Sequence, residues 1–261
     1  MPDTRQHITE IEIDATPDEV FRAITEAEGI VRWFAPYAKV EPGPDGNMVG
    51  GRYSVSWDPS QEGNSKIMTW EPGHRFAAYS ERDRPYGSTE AGPVQRVIVD
   101  YQIEAKGGKT LLRLVHSGFG DGAGWDAEFN STKSGWAIFL WILKHGLERH
   151  PGVDSQTVMA MVPRTVSAEE AWDRLVPAGL KPGDKYKLED GTEGIVRSAH
   201  RPDQFTANAL NLGDGLIGIY CDFAAGPRKF LNVTMVLWGD ARSRADELKA
   251  AWTDRLKKAA S

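Results

Sequence analysis

His116 stands in the stretch LVHSGF, two residues past Leu114 and four past Leu112. Residues two apart on a strand share a face, so Leu112, Leu114 and His116 line one side while Arg113 points to solvent. A histidine at the end of an inward face, before a glycine turn, can orient a ligand or serve as acid or base near neutral pH. The same position suits a structural histidine bonded to its surroundings, and buried polar groups are normally satisfied in that way. The structural role is the favoured one, with His116 kept as the catalytic candidate. Other reactive residues are sparse. The six histidines (His7, His74, His116, His145, His150, His200) show no metal-ligand spacing, and His145 and His150, five apart, are expected on different helix faces. No metal and no cofactor are expected. The single cysteine, Cys221, lies in the apolar run LIGIYCDF and reads as a buried small hydrophobe. There is no G-x-S-x-G elbow. DGNMVGGR and FGDGAG lack the Lys and Ser/Thr of a phosphate loop and read as turns. Asp121, Asp126 and Glu128 lie around the start of a long helix, where acids complement the helix dipole.

The elements that position these residues follow from periodicity and turn chemistry. HITEIEID alternates as a half-buried strand does. In ATPDEVFRAITEAEGIVRWFAP, Thr16 caps a helix, Pro17 suits its first turn, and Glu19 completes a capping box. A second short helix ends at Trp33–Phe34, before Pro36. GRYSVSW, SKIMTW, RFAAYSE, QRVIVDYQIE and TLLRLVHS read as strands, separated by DPSQEGN, EPGH, DRPYGSTEAGP and the tight KGGK. Short turns between successive strands imply an antiparallel meander. A helix from about Trp125 to Arg149 closes the unit. The order then recurs in reduced form. VDSQTVMAMVPRTV is a strand, and SAEEAWDRL is a helix capped by Ser167. KYKLED, TEGIVRSAH, QFTANAL, GLIGIYCDFA and KFLNVTMVLWG are strands, and ADELKAAWTDRLKKA is a closing helix with Leu248, Trp252 and Leu256 on one stripe. The boundary falls near His150–Pro151–Gly152, giving units 1–152 and 153–261, the second without a clear second short helix.

Composition bounds the function classes. The chain has 261 residues, 40% hydrophobic and 26% charged, which is ordinary for a globular protein. Residues 1–152 hold 16 Lys/Arg against 22 Asp/Glu, whereas 153–261 hold 15 against 15, so the net charge of −6 lies in the first half. No basic patch suggests nucleic acid or an anionic membrane. The N-terminus has no apolar signal region, and the longest apolar run, Trp136 to Leu143, is too short to span a bilayer, so a soluble cytoplasmic protein is expected.

TPDEVFRAITEAEGIVRWFAP, the WEPGHRFAAYSE strand pair, and LVHSGF followed by SGW and a long helix resemble the AHSA1-like branch (activator of Hsp90 ATPase homologue) of the START/Bet v 1-like SRPBCC superfamily. The resemblance covers roughly residues 8–150. The second half is similar to the same superfamily in element order and terminal helix. The resemblance implies an α+β helix-grip fold in two tandem copies: a curved antiparallel sheet wraps a long C-terminal helix, with a cavity often left between them. It also implies a superfamily that binds hydrophobic small molecules or lipids and includes cyclases and hydrolases.

Within such a fold, Tyr53, Val55 and Trp57 share a face, as do Val97, Val99, Tyr101 and Ile103, and Leu112, Leu114 and His116. Trp136 begins the apolar part of the closing helix. For SKIMTW, either Met68 and Trp70 or Ile67 and Thr69 face inward; the pattern does not choose. The expected lining is therefore Tyr53, Val55, Trp57, Val99, Tyr101, Leu112, Leu114, His116 and Trp136, rich in aromatics and poor in polar groups, as a pocket for a flat or greasy ligand is. The run WAIFLWIL has more apolar residues than one stripe needs, and the surplus asks for a second partner, the other unit or another subunit in a homodimer. Three functions stay open: binding a hydrophobic small molecule; a cyclase- or hydrolase-like enzyme using His116 with Tyr53 or Tyr101; and a co-chaperone-like contact through the acidic surface.

Overall fold

The structure is a computed structural model that describes residues 5–58, 60, 63–221 and 229–261. The expected turn DPSQEGN and the end of GLIGIYCDFA lie partly outside the described residues. The chain divides into two compact units, residues 1–152 and 153–261. Both are α+β and share one plan, so the fold is helix-grip in two tandem copies.

The first unit runs β1 (Gln6–Ile13), α1 (Pro17–Thr25), α2 (Ala27–Val31), β2 (Tyr37–Glu41), β3 (Arg52–Ser56), β4 (Ser65–Glu71), β5 (Arg75–Arg82), β6 (Gln95–Lys106), β7 (Lys109–Ser117) and α3 (Ala123–Arg149). Its seven strands form an antiparallel sheet in the order β1-β7-β6-β5-β4-β3-β2. Strands β2 to β7 are a meander, and β1 joins it beside β7, so the first and last strands are neighbours under α3. The β6–β7 hairpin turns on Gly107 (φ 59°) and Gly108 (φ 83°), the two left-handed positions that a two-residue hairpin loop requires.

The capping box of α1 forms as the sequence predicts. The Thr16 hydroxyl accepts from the Glu19 amide at 3.3 Å, and the Thr16 amide donates to Glu19 Oε2 at 2.8 Å. Val20, Phe21 and Ile24 are buried beneath it. Replacing Thr16 with Ala should cost about 1 kcal/mol in chemical denaturation, the usual worth of such a cap. An unchanged midpoint would show that α1 is held by packing alone.

Two features depart from the sequence reading. The first is β2, an edge strand of five residues with an exposed Lys39–Glu41 ion pair at 2.9 Å, which carries too little apolar pattern to be recognised. The second is a β-bulge in β4, which settles the parity that SKIMTW left open. Ile67 pairs with Ala78 and Thr69 with Ala77, so Met68 is the extra residue. Before the bulge Ile67 faces inward, 1% exposed. After it Trp70 does, edge-on to Phe21 at 5.3 Å and Phe76 at 5.7 Å. Each of the two expected inward sets holds on one side of the bulge, and Met68 is thrown outward.

The second unit runs β8 (Ser155–Pro163), α4 (Ala168–Leu175), β9 (Lys185–Lys187), β10 (Glu193–His200), β11 (Gln204–Ala209), β12 (Gly215–Cys221), β13 (Phe230–Trp238) and α5 (Ala245–Ala260). Its sheet order, β8-β13-β12-β11-β10-β9, again places the first strand beside the last. Among the described residues it has one short α-helix and one strand fewer than the first unit, and a 3-10 turn, Gly239–Arg244, leads from β13 into α5. Ser167 Oγ caps α4 by accepting from the Glu170 amide at 3.1 Å. Leu248, Trp252 and Leu256 of α5 are buried in the unit's core, as is Cys221. No helix among the described residues is long and apolar enough to cross a membrane.

Candidate functional site

Pairing between strands sets the inner face of the first unit. His7 of β1 lies opposite His116 of β7, and His116 opposite Val99 of β6. One step along, Leu114 pairs with Tyr101, and Tyr101 with Phe76. Tyr101, Leu112, Leu114 and His116 are buried, and Val99 is half-buried. Directly after His116 the chain turns at Gly118 (φ 83°), where a Cβ would collide with the Arg96 carbonyl oxygen, so only glycine lets β7 leave this close to β6.

From α3, Trp136 comes down on this face. Its indole N–H donates to His116 Nδ1 at 2.9 Å, and its ring meets Tyr101 edge-on at 6.1 Å. On its other side Phe34, just past α2, stacks on Trp136 at 5.1 Å with the planes 19° apart. Phe34 also touches Phe139 at 4.9 Å and Trp57 at 5.0 Å, both edge-on. Trp57 lies one residue beyond β3 and is 46% exposed. Aromatic rings therefore lead without a break from a rim at Trp57, through Phe34 and Trp136, to the buried His116 and Tyr101.

A hydrogen bond fixes the tautomer of the buried His116, and a second one holds its neighbour His7. Indole N–H is only a donor, so His116 Nδ1 accepts and its proton sits on Nε2. Thr132 Oγ1 lies 2.9 Å from the Glu128 carbonyl oxygen, 3.2 Å from that of Phe129 and 3.1 Å from His7 Nε2, so it holds the His7 ring against α3. His7 Nδ1 is buried without a hydrogen-bond partner. The rings stand 5.3 Å apart, edge to face. Burial lowers His116 to about 3, helped by His7 and Arg82. Burial also lowers His7 to about 4, with Lys133 adding to the effect. Both are neutral at pH 7, and His116 in this arrangement is a neutral N–H donor rather than an acid or base working near pH 7.

The tyrosines that could have assisted it are spent or silent. The Tyr53 hydroxyl donates to the Ile24 carbonyl at 3.3 Å, toward α1. Burial raises both the Tyr53 and Tyr101 phenols above their ordinary range. Val55 lies half-buried on β3.

Three residues of this arrangement were missed from sequence. Phe34 was read as a helix end and Phe139 as part of a uniform apolar run. His7 shares strand parity with the inward Ile11 and Ile13, a signal that was present in HITEIEID. Glu128, expected to serve the helix dipole, is instead buried. Its carboxylate accepts from Arg82 Nη1 at 3.2 Å, from Arg82 Nη2, and from the Tyr86 amide at 2.8 Å. His145 and His150 correct another expectation. They do not diverge on the helix but stand 5.4 Å apart, because His150 leaves helical geometry at the C-cap of α3.

The family model described as Activator of Hsp90 ATPase homolog 1-like protein matches residues 14–148. Among solved structures, an AHSA1-like protein from Rhizobium etli is 28% identical, with 58% of this chain and 86% of that chain covered and a TM-score of 0.44. A protein from Mesorhizobium loti is 22% identical over 56% of this chain and 98% of that one, with a TM-score of 0.47. The di-domain ARO/CYC BexL from the BE-7585A biosynthetic pathway is 16% identical, covering 98% of this chain and 99% of that one, with a TM-score of 0.45. No curated protein matches the chain.

Proposed function

The chain belongs to the Activator of Hsp90 ATPase homolog 1-like family, and on that premise we propose that its first unit binds a flat hydrophobic small molecule between the sheet and α3. The observation that carries this reading is the aromatic path from exposed Trp57 to Trp136 on His116. Phe34 sits on Trp136 in the stacking geometry an aromatic ligand would adopt, and it belongs to a loop rather than a helix or strand. Moving Phe34 aside would offer the ligand the Trp136 face, the Phe139 edge and the wall formed by Val55, Val99, Leu112 and Leu114. Tyr101 would close the inner end. His116 would orient the ligand through a neutral hydrogen bond, as the few polar groups of apolar pockets do. Its low proton affinity favours this binding role over acid–base catalysis.

The test is a thermal-shift and tryptophan-fluorescence titration with polycyclic aromatic ligands. Saturating binding at about 100 times Kd should stabilise the protein by about 2.7 kcal/mol. Trp136→Leu should weaken binding at least tenfold, a loss of about 1.4 kcal/mol. Met161→Ala, at an exposed position of the second unit, should leave it unchanged. If no ligand in the panel saturates, or if Trp136→Leu binds like the wild type, the reading fails.

A further inference from the structure

The opposite, outer face of the same sheet carries a concavity of about 360 Å³. Its origin lies in the strand register. Ala77 of β5 and Asp100 of β6 are paired, and Val115 of β7 lies beside Asp100 and opposite Ile8 of β1. The floor residue Ala77 is the smallest of these, and longer side chains stand around it. The β4 bulge adds Met68, 41% exposed, to one wall. Ile8, Ile98 and Val115 supply further apolar wall.

The charges in this hollow are unequal in their commitments. Arg75 grips Asp100 with two hydrogen bonds, Nε to Oδ1 at 3.0 Å and Nη2 to Oδ2 at 2.8 Å, and Gln102 Nε2 donates to the same Oδ2 at 3.3 Å, so both charges of that pair are committed. Arg113 is left with less. Its Nη1 lies 3.5 Å from Glu10 Oε1 in a half-exposed ion pair, and its Nε is buried without an acceptor. Exposed pairs of that kind contribute little and are readily exchanged.

We propose that this outer hollow binds a small amphipathic carboxylate, its charged end on Arg113 and its apolar body against Ile8, Met68, Ile98 and Val115. The site is independent of the sheet–helix path, because successive residues of β7 point to opposite faces: Val115 reports on the outer hollow and Leu114 on the inner face. Hexanoate is the probe, with 1-hexanol as its neutral counterpart, observed by methyl NMR of the full chain. Hexanoate should give saturable shifts at Ile8, Met68, Ile98 and Val115 while Leu112 and Leu114 stay still. Hexanol should bind at least tenfold more weakly. Arg113→Gln, at a side chain 43% exposed, should weaken hexanoate at least tenfold with the remaining spectrum intact. The proposal is overturned by shifts that do not saturate, by equal binding of hexanol, by wild-type affinity in Arg113→Gln, or by shifts confined to Leu112 and Leu114. The last of these would support the inner site instead.

Discussion

Glu128→Ala should destabilise the first unit by roughly 3–5 kcal/mol, the usual cost of leaving one partner of a buried ion pair alone. Glu128 is 5% exposed in its side chain and Arg82 15%. The guanidinium lies over Tyr86 at 4.0 Å and 5.2 Å from Trp125, and its Nε has no acceptor even in the native protein. Removing the carboxylate would strand this charge among aromatic rings and also free the Tyr86 amide, which anchors the β5–β6 connection to α3. At 2–4 °C per kcal/mol, the unfolding midpoint should fall by about 10 °C. The double variant Arg82→Met/Glu128→Leu separates the pair from its desolvation cost. Apolar replacement of both partners of a buried pair is often close to neutral, so the double variant should recover most of the loss. Calorimetry that found Glu128→Ala within about 1 kcal/mol of wild type would mean that water or a neighbouring group already compensates Arg82.

The contrast between Glu128 and His116 shows what a sequence can and cannot carry. The inward set Leu112, Leu114 and His116 was legible because it depends only on the two-residue period of a single strand, and the Thr16 capping box because its partners are three residues apart. The KGGK hairpin was legible because two positive φ angles demand glycine. Glu128 was misread because its partner lies 46 residues earlier on another strand, and nothing near Glu128 marks the match. The β4 bulge escaped for a related reason: the extra residue is defined by the register against β5, and within β4 alone both parities look equally apolar. Phe34 follows no period, since its direction is set by the Trp136 ring it stacks on. The parts that local periodicity could not reach are those where two distant segments meet, and the aromatic path from Trp57 to His116 is built from such meetings.

His116 makes the stability of the first unit depend on acid. Its proton affinity in the folded state corresponds to about 3, against 6.5 for an unburied histidine. Below 6.5 the unfolded chain takes up a proton that the folded chain refuses, so the stability this histidine contributes is fully present above that pH. It is lost as pH falls toward the folded value. One such proton is worth about 1.4 kcal/mol per pH unit, or roughly 3 kcal/mol between pH 7 and pH 4. His7, lowered to about 4, acts in the same direction. The physical cause is the same in both: a charged imidazole would have to sit among Phe119, Phe129 and Trp136 without solvent, and a second proton on His116 Nδ1 would face the Trp136 N–H that now donates to it. His116→Gln keeps an acceptor for that indole and cannot titrate. Denaturation series from pH 7 to pH 4 should therefore show the wild type losing stability more steeply than His116→Gln, by about one proton's worth. Carboxylates that also weaken the fold in acid act equally on both proteins and cancel in the difference. Parallel curves would mean that His116 is already charged or already solvated in the native state, and its assignment as a neutral donor to a bound ligand would fall with them.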